Sequence, residues 1–232
     1  KYTFTVTANG TQLNASKNGA AATKIATIDA KGIITYNKVD KNAQTLLNKS
    51  AYNVDPFTAG IEIVVTNECD EILPLTGNKF DVKFLRPINV VDLKSAELKD
   101  ATTGTAKIDM SKLLGLTDWR GEAFAVEPID FYTYYGIEGA TAISIDKDKI
   151  MTTLNASEAA PKLLKDVAPN MSIDYACDLK KSGNDITYGD LVYANGKFTI
   201  NAPFKLFIPV TVKYTFGEVT STVTLTITPT HD

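Results

Sequence analysis

The chain has 232 residues, a net charge of −3, 44% apolar and 22% charged residues. That composition excludes an intrinsically disordered or collagen-like chain, and the acidic balance argues against a duplex nucleic-acid binder. A single histidine, His231, excludes Ser-His-Asp triads, HExxH helices and His-rich metal sites.

The 29 threonines and 15 asparagines point to pleated surfaces joined by many turns. Only Arg86 and Arg120 are arginine, so a site specialised for phosphate is poorly supplied. Cys69 and Cys177 lie outside any C-x-x-C, which removes zinc and dithiol motifs. Two unpaired thiols are the expectation, with a disulfide as the alternative in an oxidising compartment. No apolar run is long enough for a membrane helix. Lys1 leads directly into a strand pattern without a leader, as expected of a mature or trimmed product.

Taken in chain order, Tyr2, Phe4 and Val6 alternate with threonines and predict a strand over 2–7. That strand could pair with the open sheet edge of a neighbouring subunit. Residues 9–20 read as a loop, 33–36 as a short strand and 43–49 as one or two helical turns. A strand over 61–66 precedes an acidic turn, Asn67 to Glu71. Phe80, Val82 and Phe84 alternate with polar residues, and Ile88 and Val90 keep the same parity beyond Pro87. Charge and small residues over 92–105 read as a linker, followed by a short helix capped by Ser111. The aromatic run Ile129 to Tyr135 reads as a strand, on which Phe131 and Tyr135 share one face and Tyr132 and Tyr134 the other. Further strands are expected near 141–146, 172–177, 186–193 and 197–200.

The clearest pattern closes the chain. Phe204, Leu206, Ile208, Val210, Val212 and Tyr214 occupy alternate positions, and Val223, Leu225 and Ile227 do so on the return strand. One face is core and the other solvent. A turn is expected at Gly217-Glu218, and Pro209 is expected at a bulge or an edge, because it removes a ladder donor. A weak internal repeat relates 80–90 to 204–212 and 34–36 to 186–188.

The segment from Phe204 to Ile227 resembles the last hairpin of immunoglobulin-like domains in surface proteins of Bacteroidetes, and similar modules in virion proteins of their phages. The resemblance implies an extracellular β-sandwich and brings no catalytic residues. The expected fold is all-β: two tandem immunoglobulin-like sandwiches, 1–95 and 96–232, with a short helical connector.

Candidate chemistry is sparse. Glu68, Asp70 and Glu71, or Asp146 and Asp148, could supply a carboxylate pair, and solvated turn charges are the plainer reading. Asp146 to Ile150 hints at a calcium loop, yet Met151 and Ser157 stand where an EF-hand needs Gly and Glu. Neither catalytic residues, nor cofactor, nor metal ligands are expected. Trp119, Tyr132 and Tyr134 are the candidate ligand-binding residues, because aromatic faces stack on sugar rings. The function expected is a non-enzymatic structural or adhesive module at the cell surface. A carbohydrate-binding module and a fibre or virion subunit are the alternatives. Partners would be other envelope or virion proteins, or glycans, with no nucleic acid and no membrane span.

Overall fold

The computed structural model describes residues 3–7, 12–15, 23–29, 32–48, 57–94, 96–101, 104–154, 158, 160–196, 200 and 202–230. They are mostly β-strand, with a few short helical turns. Among them no helix is long and apolar enough to cross a membrane. The chain divides into two compact units, Lys1–Pro87 and Ile88–Asp232.

The first unit contains β1 (Thr3–Thr7), β2 (Gln12–Ala15), β3 (Thr23–Ile28), β4 (Ile34–Tyr36), α1 (Lys41–Asn48), β5 (Phe57–Thr66), β6 (Ile72–Leu73) and β7 (Lys79–Phe84). One sheet is centred on β5, which pairs antiparallel with β1, β6 and β7. The other runs β2-β3-β4. Part of the 9–20 stretch, expected as loop, is therefore strand: β2 pairs with β3 through a bulge at Leu13/Asn14. Tyr2 lies outside the described residues. The carboxylate of Asp40 accepts from Ala43 N at 2.8 Å and caps α1. Ala43 and Leu47, four residues apart, then face inward and are buried with Ala26 and Val65.

The second unit contains β8 (Ile88–Asp92), β9 (Glu97–Ala101), β10 (Thr105–Asp109), a 3-10 turn (Met110–Lys112), β11 (Leu114–Asp118), α2 (Phe131–Tyr134), β12 (Ile143–Ile145), a 3-10 turn (Lys147–Lys149) and β13 (Met151–Thr153). It continues with β14 (Lys162–Leu163), α3 (Leu164–Val167), β15 (Ser172–Tyr175), β16 (Lys180–Ser182), β17 (Asp185–Thr187), β18 (Asp190–Ala194), β19 (Phe204–Tyr214) and β20 (Gly217–Thr230). The largest sheet runs β14-β13-β19-β20-β9, with β12 also on β19. A second sheet runs β10-β18-β15, and β8 pairs with β11. One apolar cluster joins all three: Leu206, Ile208 and Val223 from the first, Ile173 and Leu191 from the second, Ile88 and Leu116 from the third.

The closing hairpin matches its alternation. Phe204, Leu206, Ile208, Val210, Val212, Val223, Leu225 and Ile227 are each at most 2% exposed. Full burial of such a side chain contributes about 1.5–3 kcal/mol. The turn comes earlier than expected: Tyr214 pairs with Gly217, so Thr215 and Phe216 form the loop. Gly217, at φ +105°, opens the return strand. Pro209 sits where β12 and β13 are interrupted by the Lys147–Lys149 turn. Its carbonyl accepts from Asp146 N at 3.1 Å. Its missing donor therefore faces a break in the neighbouring strand and leaves no ladder bond unmade.

Four expectations are corrected. The boundary falls between Pro87 and Ile88, and not at 95/96, because Ile88 is wholly buried in the second unit's core. Residues 92–105 are not a linker, since β9 pairs in parallel with Thr226–Thr230 of β20. The helical turn near 110 is internal to the second unit and joins β10 to β11 rather than connecting the units. Its cap is Asp109, whose carboxylate accepts from Ser111 N at 2.7 Å, and not Ser111 itself.

Candidate functional site

The run Phe131 to Tyr135 is a helical turn and not a strand. Asp130 fixes it by accepting from Tyr132 N at 3.0 Å and Thr133 N at 3.2 Å. Gly136, at φ +67°, ends it in a conformation that favours glycine. Residues in such a turn advance by about 100° each, so side chains that a strand would pair are separated.

Tyr132 points inward and is 3% exposed. Its hydroxyl shares a 2.7 Å hydrogen bond with the hydroxyl of Tyr188. Tyr188 is itself buried, its carbonyl accepts from Tyr175 Oη at 2.7 Å, and burial followed by the nearby Tyr132 pushes its hydroxyl pKa far up. Tyr132 is thus an anchor that ties α2 to the connection between β17 and β18, and it is unavailable to a ligand.

Tyr134 points outward and is 68% exposed. Its ring stands at 87° to Phe131 and 85° to Tyr135, with centroids 6.3 and 5.0 Å away. Phe131 and Tyr135 lie nearly parallel, at 18°, and Phe124 packs on both. Burial, then Tyr134, then Asp118 raise the pKa of the Tyr135 hydroxyl.

That last influence brings in the turn carrying Trp119. The Asp118 carboxylate accepts from Arg120 N at 2.7 Å and Glu122 N at 3.0 Å, which closes the turn over Gly121. Trp119 is half-buried, with the Arg120 guanidinium carbon 4.8 Å from its ring centroid. Of the three candidate binding aromatics, Tyr134 offers an open ring, Trp119 a partly covered one and Tyr132 none.

Beside Tyr134 lies a polar group that the sequence reading missed. Lys181, on β16, forms an ion pair with Asp130 and donates to Thr133 Oγ1 at 2.9 Å. Thr133 Oγ1 donates in turn to Asp130 Oδ2 at 2.7 Å. Burial alone would raise the Asp130 pKa, but the hydrogen bonds from Lys181 and Thr133 prevail and lower it to about 2. An aspartate followed three residues later by threonine and then by glycine carried the signal of a capped turn. The contribution of Lys181, 48 residues away, had none.

The remaining candidates are structural. Asn67 closes the acidic turn by accepting from Cys69 N at 2.9 Å and Glu71 N at 3.0 Å, and Glu68, Asp70 and Glu71 are exposed. Asp146 pairs with Lys149 at 2.8 Å and Asp148 with Lys165 at 3.4 Å. Both cysteines are free thiols, Cys69 exposed and Cys177 half-buried. A depression of about 210 Å³ lies among Ile150, Leu164, Met171 and Ile173, with Lys147 and Asp174 ion-paired at its rim.

No protein-family profile and no curated protein matches the chain. Among solved structures, the cadherin-like domains 1 to 4 of zebrafish RET align at 11% identity over 100% of this chain and 42% of that one, with a TM-score of 0.25. The chain thus spans well under two thirds of the length of that structure.

Proposed function

We propose that the chain is a non-catalytic structural or adhesive module of an extracellular surface, built as two tandem immunoglobulin-like sandwiches. The carrying observation is the interior of the second unit, where one continuous apolar cluster fills the space between the sheets. Such a unit is a rigid scaffold that presents turns and edges. The groups best suited to chemistry are engaged by neighbours: Tyr188 by Tyr132, Asp130 by Lys181, Asp109 and Asp118 by the backbone of their own turns. Efficient acid–base work needs a group free to exchange a proton with substrate.

The surface setting, on a bacterial cell or on a virion, rests on the resemblance of the closing hairpin. Assembly by donation of the first strand is the weaker version, because β1 is already paired with β5 of its own chain over five residues. The exposed ring of Tyr134 favours a second reading, in which adhesion is directed at glycans. Incubation of the purified protein with a panel of neutral and acidic polysaccharides tests the first reading. Reducing ends should stay at the level of a heat-inactivated control, and their release above that level would overturn it.

A further inference from the structure

We infer that the outward face of α2 binds an uncharged pyranoside, with the ring of Tyr134 as the stacking surface and Lys181 and Thr133 as the pair that grips two adjacent hydroxyls. The inference rests on the adhesive reading above and names its ligand class.

The arrangement around the turn comes first. Thr133 and Tyr134, about 100° apart on the helical turn, are both exposed, and Asp130 lies on the Thr133 side, since its Oδ2 accepts from Thr133 Oγ1. Tyr132, which is buried, points the opposite way. Tyr134, Asp130 and Thr133 therefore share the solvent side of a single turn, where Lys181 joins them.

The ring is prepared for stacking. Phe131 and Tyr135 brace it at near-right angles, so little side-chain freedom remains to be lost when a flat apolar face settles on it. The C–H face of a pyranose is such a surface.

Counting donors and acceptors selects the rest of the ligand. Asp130 Oδ1 takes two backbone N–H groups, and Oδ2 takes Thr133 and Lys181, so its lone pairs are used. The ammonium of Lys181 has three N–H groups and gives two of them to Asp130 and Thr133. Thr133 Oγ1 donates to Asp130 and accepts from Lys181, which leaves one lone pair. Among the described residues, one donor and one acceptor thus remain open on adjacent atoms. A vicinal diol matches them, one hydroxyl accepting from Lys181 and the next donating to Thr133. The charges of Lys181 and Asp130 cancel, which favours a neutral polyol over an anion or a cation. Asp130 is a positioning residue in this scheme, because it aims both partners and touches no ligand.

The test uses the full chain in affinity electrophoresis, in gels containing yeast mannan, dextran, xyloglucan, laminarin or, as the anionic arm, alginate. At least one neutral polysaccharide should retard migration. Tyr134→Ala should weaken that retardation at least tenfold, Lys181→Met several-fold, and Tyr134→Phe little. Phe80→Ala, an exposed apolar residue of the other unit, should change nothing. Circular dichroism confirms that each variant folds. Titration of the chain with methyl β-glucopyranoside and methyl α-mannopyranoside, followed by NMR, should shift resonances of the 130–135 turn. Retardation by alginate alone, retardation unchanged in Tyr134→Ala, or no retardation by any neutral polysaccharide would each overturn the inference. Those results leave the scaffold reading standing, whereas sugar release would overturn the scaffold reading and leave the site in place.

Discussion

The carboxylate of Asp92 accepts both hydrogen bonds that Thr224 offers, from the backbone N–H at 3.1 Å and from the hydroxyl at 3.0 Å. Alternation along β20 puts Thr224 on the outer face, where a charge should be harmless. Asp92 covers that position at the end of β8 and stands in for a missing ladder partner. Thr224→Asp would set two carboxylates against each other and should cost about 1–3 kcal/mol. Thr222→Asp, at an exposed position on the same face, should stay within about 0.5 kcal/mol. Val223→Asp, at a fully buried position, should cost roughly 3 kcal/mol or more. Urea denaturation of the three variants gives the order, and equal losses for Thr224→Asp and Thr222→Asp would reject the role assigned to Asp92.

Gly183 and Gly196 share a φ of +56° but not their surroundings. A Cβ on Gly183 meets nothing within 4 Å, whereas one on Gly196 falls 1.8 Å from the carbonyl oxygen of Asn170. Gly183→Ala should therefore show only the backbone strain of the left-handed region, about 1–2 kcal/mol. Gly196→Ala adds a collision with main chain and should cost at least about 2 kcal/mol more. Thermal melts of the pair isolate the collision, and similar melting temperatures would contradict this close approach of Gly196 to the Asn170 carbonyl.

The Tyr132–Tyr188 hydroxyl pair is a buried polar link between α2 and the connection from β17 to β18. Tyr132→Phe leaves a buried hydroxyl on Tyr188 with one partner fewer and should cost about 1–2 kcal/mol. Tyr134→Phe, at the exposed neighbour, should cost less than about 0.5 kcal/mol. Chemical denaturation compares them, and a larger loss for Tyr134→Phe would reverse the inward and outward assignment.

Acid should weaken the α2 turn in a defined window. Asp130 has a pKa of about 2 in the folded protein, against about 3.9 for an unfolded aspartate. The folded state thus binds this proton less readily, and the resulting stabilisation is complete above about pH 4 and lost as pH falls toward 2. Lys181→Met removes the main group holding the carboxyl down, so its melting temperature should depend less on pH between 4 and 2. An unchanged slope in that variant would show that Lys181 does not control Asp130.

How much could be read in advance depended on whether a pattern was local. The β19–β20 hairpin was legible because one face is packed and the other open over its whole length. The boundary was not, because Ile88 and Val90 continue the parity of Phe80, Val82 and Phe84 across Pro87, and parity does not say which core a side chain enters. For the same reason the repeat relating 80–90 to 204–212 dissolves: the first copy spans two units and the second is one strand. At 131–135 the aromatic content favoured a strand, but the Asp130 cap and Gly136 decide the backbone. Once the turn is helical, Tyr132 goes to the core and Tyr134 to solvent. The polar half of the site depends on Lys181 reaching across from β16, which no local pattern encodes.

The parallel pairing of β9 with β20 sets how the second unit meets a pulling force. Glu97 lies opposite Thr226 and Ala101 opposite Thr230. Tension that reaches Glu97 and leaves through Thr230 drags the two strands in opposite directions along their common axis. All five pairs then bear the load together, in shear, and must yield nearly at once. The Thr228–Glu97 and Thr224–Asp92 side-chain bonds lie along the same seam. An antiparallel pair loaded at its open end would instead unzip one rung at a time. A module joined this way to its neighbours along a filament would hold its shape under drag until the seam ruptures as a whole.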